Sequence, residues 1–172
     1  VETETIIRRT KEEDWESLKA IRLAALIDAP MAFGVSHATA LTYTDSQWRE
    51  RAAGRGQALF ILAFSNNTVV GIVGCVLSSC SEFNLIAMWV APPLRGTAAA
   101  AKLVGAVKAE AVLQGHSRIV LDVAPSNLRA VSFYQKEGFV FLPELESLES
   151  HPHIQLQKME WLASLGSIAA EG

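Results

Sequence analysis

Residues 88–103 read MWVAPPLRGTAAAAKL, and the fold turns on how this stretch is parsed. Met88, Trp89 and Val90 close an apolar run, and Pro92 and Pro93 stop it, because proline cannot donate to a strand ladder. From Thr97 the pattern changes period. Ala100, Leu103, Val104, Val107 and Ala111 fall on one helical face as far as Leu113, and Gly115 stands just beyond as a helix-ending residue. A strand therefore feeds a short loop and then a helix. The first N–H groups of such a helix lack intrahelical partners and, with the macrodipole, suit a phosphate. Arg95 beside Gly96 adds a charge-assisted donor. An alanine-rich surface helix after a charged loop fits the same letters, and the segment alone does not separate the two readings.

Working outward, residues 4–10 (ETIIRRT) predict a strand and residues 11–29 a helix, with Trp15, Leu18, Ile21, Arg22 and Leu26 at helical spacing. Polar residues to Thr44 lead into a second helix around 45–53, capped by Thr44 or Asp45. Residues 57–79 predict two strands about Asn66-Asn67, a pair that tolerates tight-turn dihedrals. A third strand follows over 84–90. After the helix of 97–113, residues 117–124 (SRIVLDVA) read as a strand, 127–138 as a helix ending at Gly138, and 139–142 as another strand. A polar loop and a closing strand over 153–162 complete the order. Helices feed strands on both sides of a strand-rich middle, which argues an α/β fold with a mixed sheet covered by helices.

The 172 residues show no repeat and no linker, so 1–172 is expected to be a single domain, its tail fraying from about residue 166. Half the residues are hydrophobic and 19% are charged, which excludes a disordered chain. The net charge of −3 carries no basic run, so no nucleic-acid partner is expected. The apolar run ALFILAF at 58–64 is too short to span a bilayer, and the N-terminus has no apolar signal core. No membrane partner is expected, and a soluble cytoplasmic protein is. Cys75 and Cys80 have no base partner nearby and are read as packing residues rather than nucleophiles. With four histidines they make no metal-ligand spacing, and no metal is expected.

Residues 123–139, VAPSNLRAVSFYQKEGF, add the second decisive segment. Asn127 suits a helix cap, Ala130 and Phe133 share a face, and Gly138 followed by Phe139 suits a helix end. Tyr134 reads either as a packed ring or as a phenol that protonates a leaving group.

Taken together, these two segments resemble the GCN5-related N-acetyltransferase (GNAT) superfamily, in particular its small bacterial members. The N-terminal RLAALIDAPMAFG (22–34) and the late HIQLQKM (153–159) fit the same likeness. The resemblance implies a GNAT fold: a mixed sheet of about six or seven strands flanked by about four helices, with acetyl-CoA in a groove between splayed strands. It implies an N-acetyltransferase that moves the acetyl group directly to a primary amine, in a ternary complex without an acyl-enzyme. The amine belongs to a small molecule or to a peptide or protein, and relatives are often homodimers.

Residue by residue, the likeness puts the pyrophosphate on Arg95, Gly96, Thr97, Ala98, Ala99 and Ala100, and the pantetheine arm and acetyl carbonyl on Met88, Trp89 and Val90. Asn127 falls where the family holds the pantetheine arm, and Tyr134 where it places the general acid to the thiolate. The acceptor is expected around Phe33, Gly34, Trp48 and Asn84, with His151 and His153 of the ESHPH segment nearby. Phe33 and Trp48 also read as ordinary packing. Two positions depart from the family pattern. Ala98 stands where glycine is usual, and Asn84 where relatives often carry a glutamate that relays the amine proton. Glu82, two residues before Asn84, is the candidate base, or else a surface charge at a strand start. Two alternatives accompany the transferase reading: an acyl-CoA-binding regulatory module without transfer, and a transferase that uses a different acyl-CoA.

Overall fold

A computed structural model describes residues 4–30, 33, 35–148 and 151–163. Among them the chain forms one seven-stranded sheet and five α-helices. In chain order these are β1 (Thr5–Arg9), α1 (Trp15–Asp28), α2 (His37–Leu41), α3 (Asp45–Ala52), β2 (Ala58–Ser65), β3 (Thr68–Leu77) and β4 (Phe83–Val90). There follow α4 (Ala99–Leu113), β5 (Arg118–Val123), α5 (Leu128–Lys136), β6 (Val140–Leu148) and β7 (His151–Leu162). The strand order is β1-β2-β3-β4-β5-β7-β6, antiparallel except for the central β4–β5 pair. The expected fraying of the tail falls outside the described residues.

Strand β2 shows why the sheet needs cover on both faces. Its run ALFILAF is almost continuously apolar, as a strand buried on both sides must be. Ile61 and Ala63 join a core under α4 and α5, built with Leu103, Val104, Val107 and Val131. Phe60, Leu62 and Phe64 point the other way, into a second core under α1 and α3 with Leu18, Ile21, Leu26 and Trp48. This second core takes sheet residues from β2, β3 and β4, and none from β5 to β7 among the described residues.

Local signals set the element ends. Asn66 and Asn67 both have positive φ, 51° and 63°, in a two-residue turn that pairs Ser65 with Thr68. Thr44 and Gln47 form a reciprocal capping box on α3. Helix α5 ends in a Schellman motif: Gly138 (φ 94°) donates to Gln135, and Phe139 donates to Tyr134 across 3.0 Å. The Phe139 ring then meets the Tyr134 ring edge to face at 5.8 Å.

Three expectations are corrected. The polar stretch before Thr44 holds a short helix, α2, capped by the Ser36 hydroxyl on Thr39 N–H. The polar loop expected after residue 142 is strand as far as Leu148. β6 is one of the sheet's two edges, so Pro143 and its charges are tolerated there, and the ladder slips register between Phe141 and Leu145. Cys75 is buried, and burial pushes its thiol up to about 11, as a packing residue should be. Cys80, in contrast, is exposed, with its Sγ 3.3 Å from Ser78 Oγ.

Candidate functional site

The groove begins where the two parallel strands part. β4 and β5 share a single rung, Asn84 opposite Val120. Past it, β4 carries a bulge. Ile72 pairs with Trp89 and Gly74 with Ile86, so Ala87 and Met88 together face one residue of β3, and Ala87 has φ 56°. The bulge kinks β4 at the level where β5 no longer holds it. The opening is a cleft of about 660 Å³, walled by Leu85–Met88 of β4, Leu121–Val123 of β5 and the following Ala124. A second recess of about 550 Å³ runs over the start of α4 and along α5. Phe33, Met88, Asn127 and Tyr134 line both, so the two are one continuous groove.

The start of α4 leaves several backbone amides without partners among the described residues. Thr97 N–H and Lys102 N–H turn back to Leu94 and Ala98 carbonyls, while the amides of Gly96, Ala98, Ala100 and Ala101 have no such partner among the described residues. Gly96 has φ 84° and open space where a Cβ would stand. Ala98 is exposed and right-handed helical (φ −74°, ψ −3°), a conformation every residue adopts, so the backbone there does not call for glycine. Ala99 turns into the core.

Arg95 has other work than the sequence suggests. Its Nε donates to Val90 O at 3.1 Å, its Nη2 meets Asp28 Oδ2 at 2.6 Å, and its guanidinium lies 5.7 Å from the Trp89 ring centre. Trp89 Nε1 donates to the same carboxylate at 2.9 Å. These bonds, Trp89 first and then Arg95, hold the Asp28 carboxyl below the usual range. Asp28 also offsets its own position, since an acid in the last turn of a helix faces the unfavourable end of the dipole. The cluster ties α1 to the end of β4 and fixes the loop that presents the α4 amides. Arg129 and Lys136, missed in the sequence, are the cations of this recess that the α5 side provides.

Helix α5 contributes the other side. Asn127 caps it through Oδ1 to Ala130 N–H at 3.2 Å, which leaves its Nδ2 donors without a partner among the described residues. Tyr134 is 9% exposed and touches the groove from between Phe133 and Phe139. Its hydroxyl makes no hydrogen bond among the described residues, and burial raises its pKa well above that of an ordinary phenol, so it stays protonated.

The expected acceptor residues divide. Phe33 lines the groove beneath the Arg22 guanidinium, 5.0 Å from its ring centre. Trp48 does not line it. At 2% exposed, it packs in the α1–α3 core against Tyr43. Asn84 marks the point of divergence, with its Nδ2 on Glu82 O at 2.9 Å. Gly34 and the His151 side chain lie outside the described residues, while His153 lines the groove. Glu82 stands outside the groove with both oxygens taken, by Arg118 Nη1 at 2.7 Å and Lys158 Nζ at 3.0 Å. Those two bonds hold its carboxyl low, the wrong direction for a base. Asp122, an acid set into the apolar run RIVLDV, is on the groove wall instead. That interruption was the signal in the sequence.

The sequence matches the model of the acetyltransferase (GNAT) family over residues 18–139, well over half of the chain. Among solved structures, a GNAT-family acetyltransferase from Streptococcus pneumoniae superposes with a TM-score of 0.76 at 20% identity, covering 94% of this chain and 100% of that one. The PaiA N-acetyltransferase of Thermoplasma acidophilum, in complex with coenzyme A, gives 0.71 at 18% identity over 92% and 99% of the two chains. A ribosomal-protein-alanine N-acetyltransferase from Brucella melitensis gives 0.71 at 18%, over 91% and 99%. At these identities the likeness is one of fold. No curated protein matches the sequence. Among the described residues no helix is long and apolar enough to cross a membrane.

Proposed function

This chain belongs to the GNAT acetyltransferase family, and from that premise we propose that it transfers the acetyl group of acetyl-CoA directly to a primary amine in a ternary complex. The observation that carries the reading is the continuous groove, which joins the unpartnered amides of α4 to the buried phenol of Tyr134 through the gap between β4 and β5. Acetyl-CoA supplies a thioester carbonyl for attack. The amides of Gly96, Ala98, Ala100 and Ala101 hold its pyrophosphate, with the macrodipole behind them. Asn127 Nδ2 and the bulged backbone of Ala87 and Met88 offer hydrogen bonds to the pantetheine arm and the acetyl oxygen. Tyr134, kept protonated by burial, donates its proton to the leaving sulfur.

Direct attack is favoured over an acyl-enzyme because neither cysteine lines the groove and the Cys75 thiol is held neutral. The test is a panel of alkyl, amino-acid and peptide N-terminal amines incubated with acetyl-CoA, with free thiol and acetylated product both quantified. The reading expects thiol release that depends on the amine, with one acetylated amine per thiol. Binding of acetyl-CoA with no amine-dependent release across the panel is the outcome expected of a regulatory module.

A further inference from the structure

We propose that Arg22, Arg51 and the Trp48 indole N–H form a carboxylate site behind the groove wall, and that the acceptor amine carries the carboxylate it takes. The proposal rests on the acetyl-transfer reading above.

The described arginines sort by what they hold. Arg8, Arg9, Arg55, Arg95 and Arg118 each pair with a carboxylate. Arg49 and Arg129 make no ion pair among the described residues, and both are exposed to water. Arg22 and Arg51 fit neither group. Both are half-buried, and among the described residues neither makes an ion pair or a side-chain hydrogen bond. In each, Nη1 is closed to solvent. Trp48 Nε1, in the same layer, is a third buried donor without a partner among the described residues. Trp48 does not line the groove, but its N–H belongs to a cluster that adjoins it.

Arg22 comes from α1, Trp48 and Arg51 from α3, and Tyr43 from the turn between α2 and α3. The Arg22 guanidinium lies 5.0 Å from the Phe33 ring centre. That of Arg51 lies 3.9 Å from the Tyr43 ring centre and 5.6 Å from that of Trp48. Ring faces attract these charges, but they offer no oxygen for a guanidinium fork to grip. Burial lowers the Arg22 pKa against the opposing effect of Tyr43, and the nearby Arg51 charge lowers it further. Two like charges thus share an apolar layer with no counter-ion among the described residues. Charged donors buried without partners are costly. An oxyanion satisfies the N–H groups and cancels the repulsion. A carboxylate suits best, because its two coplanar oxygens match the guanidinium fork.

Phe33 points to the source of that carboxylate. It lines both parts of the groove while its ring lies against Arg22, so the cluster stands one ring behind the groove wall. An acceptor with its amine in the groove meets Arg22 where that ring turns aside. Amines that carry a carboxylate, amino acids foremost, meet both requirements.

The experiment measures kcat/KM for matched amines that differ by a carboxylate: leucine against isopentylamine, phenylalanine against phenethylamine, and β-alanine against ethylamine. The wild-type chain should favour the acid of a pair about tenfold or more. Arg22→Gln and Arg51→Gln should each abolish that preference by raising KM for the acids. Turnover of the plain amines and calorimetric acetyl-CoA affinity should stay nearly unchanged, and Arg51→Lys should keep part of the preference. Melts of both glutamine variants should stay level or rise, since each removes an unpaired buried charge. Equal wild-type rates on both members of every pair, or equal losses on both in the variants, overturn the proposal. The wild-type comparison needs no variant, so it decides even where a substitution unfolds the layer. Acetate or sulfate that raises the Tm of the wild type but not of the variants, with no acceptor preference, gives the site to a free anion and overturns its assignment to the acceptor. A wild-type chain that acetylates no amine overturns the acetyl-transfer reading itself, and this one with it.

Discussion

Tyr134→Phe is expected to lower kcat by about 10²-fold or more, the usual worth of a positioned general acid, with acetyl-CoA affinity nearly unchanged. The prediction is sharp because the substitution is nearly silent in every other respect. The ring is held by Phe133 and Phe139 at centroid distances of 5.3 and 5.8 Å, and phenylalanine keeps both contacts. The hydroxyl has no hydrogen-bond partner among the described residues, so its removal orphans nothing. What disappears is a buried O–H that touches the groove where the strands part and that burial keeps protonated. Steady-state thiol release with a saturating amine measures it. A variant with wild-type kcat would remove Tyr134 from the chemistry and leave it a packed ring.

Phe139→Ala is the second large effect, and it acts through the fold. Phe139 is 1% exposed, sits just beyond the glycine that ends α5, and closes the Schellman motif by donating to Tyr134 O. Truncating a buried phenylalanine costs about 3–5 kcal/mol in lost transfer energy and cavity. In a chain of this length that lowers Tm by roughly 10 °C, which calorimetric or fluorescence melts will read. The same truncation removes the ring that braces Tyr134 from the side of β6. The surviving folded protein should therefore lose turnover as well as stability. A melt shifted by only a degree or two would mean that the end of α5 is held by something other than this ring.

Much of the scaffold was legible because the decisive letters act locally. Asn66-Asn67 sets its turn by dihedral tolerance, Gly138 ends its helix by positive φ, and the period change after Pro93 marks strand against helix whatever lies around it. Asn127 and Tyr134 came from the family resemblance rather than from spacing, and the cap and body of α5 bring both to the groove. The rest depends on who stands opposite whom. β6 reads as a loop because its Pro143 and glutamates suit only an edge strand, and edge position is a property of the sheet. Arg95 looks like a phosphate ligand until Asp28, sixty-seven residues earlier, is seen to hold it. Glu82, just before β4, and Asp122, on β5, are both acids of the same sheet region. Only the pairing of Arg118 and Lys158 with the first leaves the second open to the groove. The question that Ala98 posed is also one of surroundings. Its conformation and exposure show that the methyl costs the backbone nothing, so its meaning lies in what approaches the helix end.

That approach is where the account is most directly tested, by titrating acetyl-CoA calorimetrically into the wild-type chain and into Ala98→Glu. Glutamate at this exposed helix start complements the dipole and should leave Tm level or slightly raised. Its carboxylate, however, occupies the amides proposed to receive the pyrophosphate. The account predicts one site per chain in the wild type and at least a tenfold weaker one in the variant, about 1.4 kcal/mol or more. Equal affinities, or a wild-type chain that binds no acetyl-CoA, would contradict it.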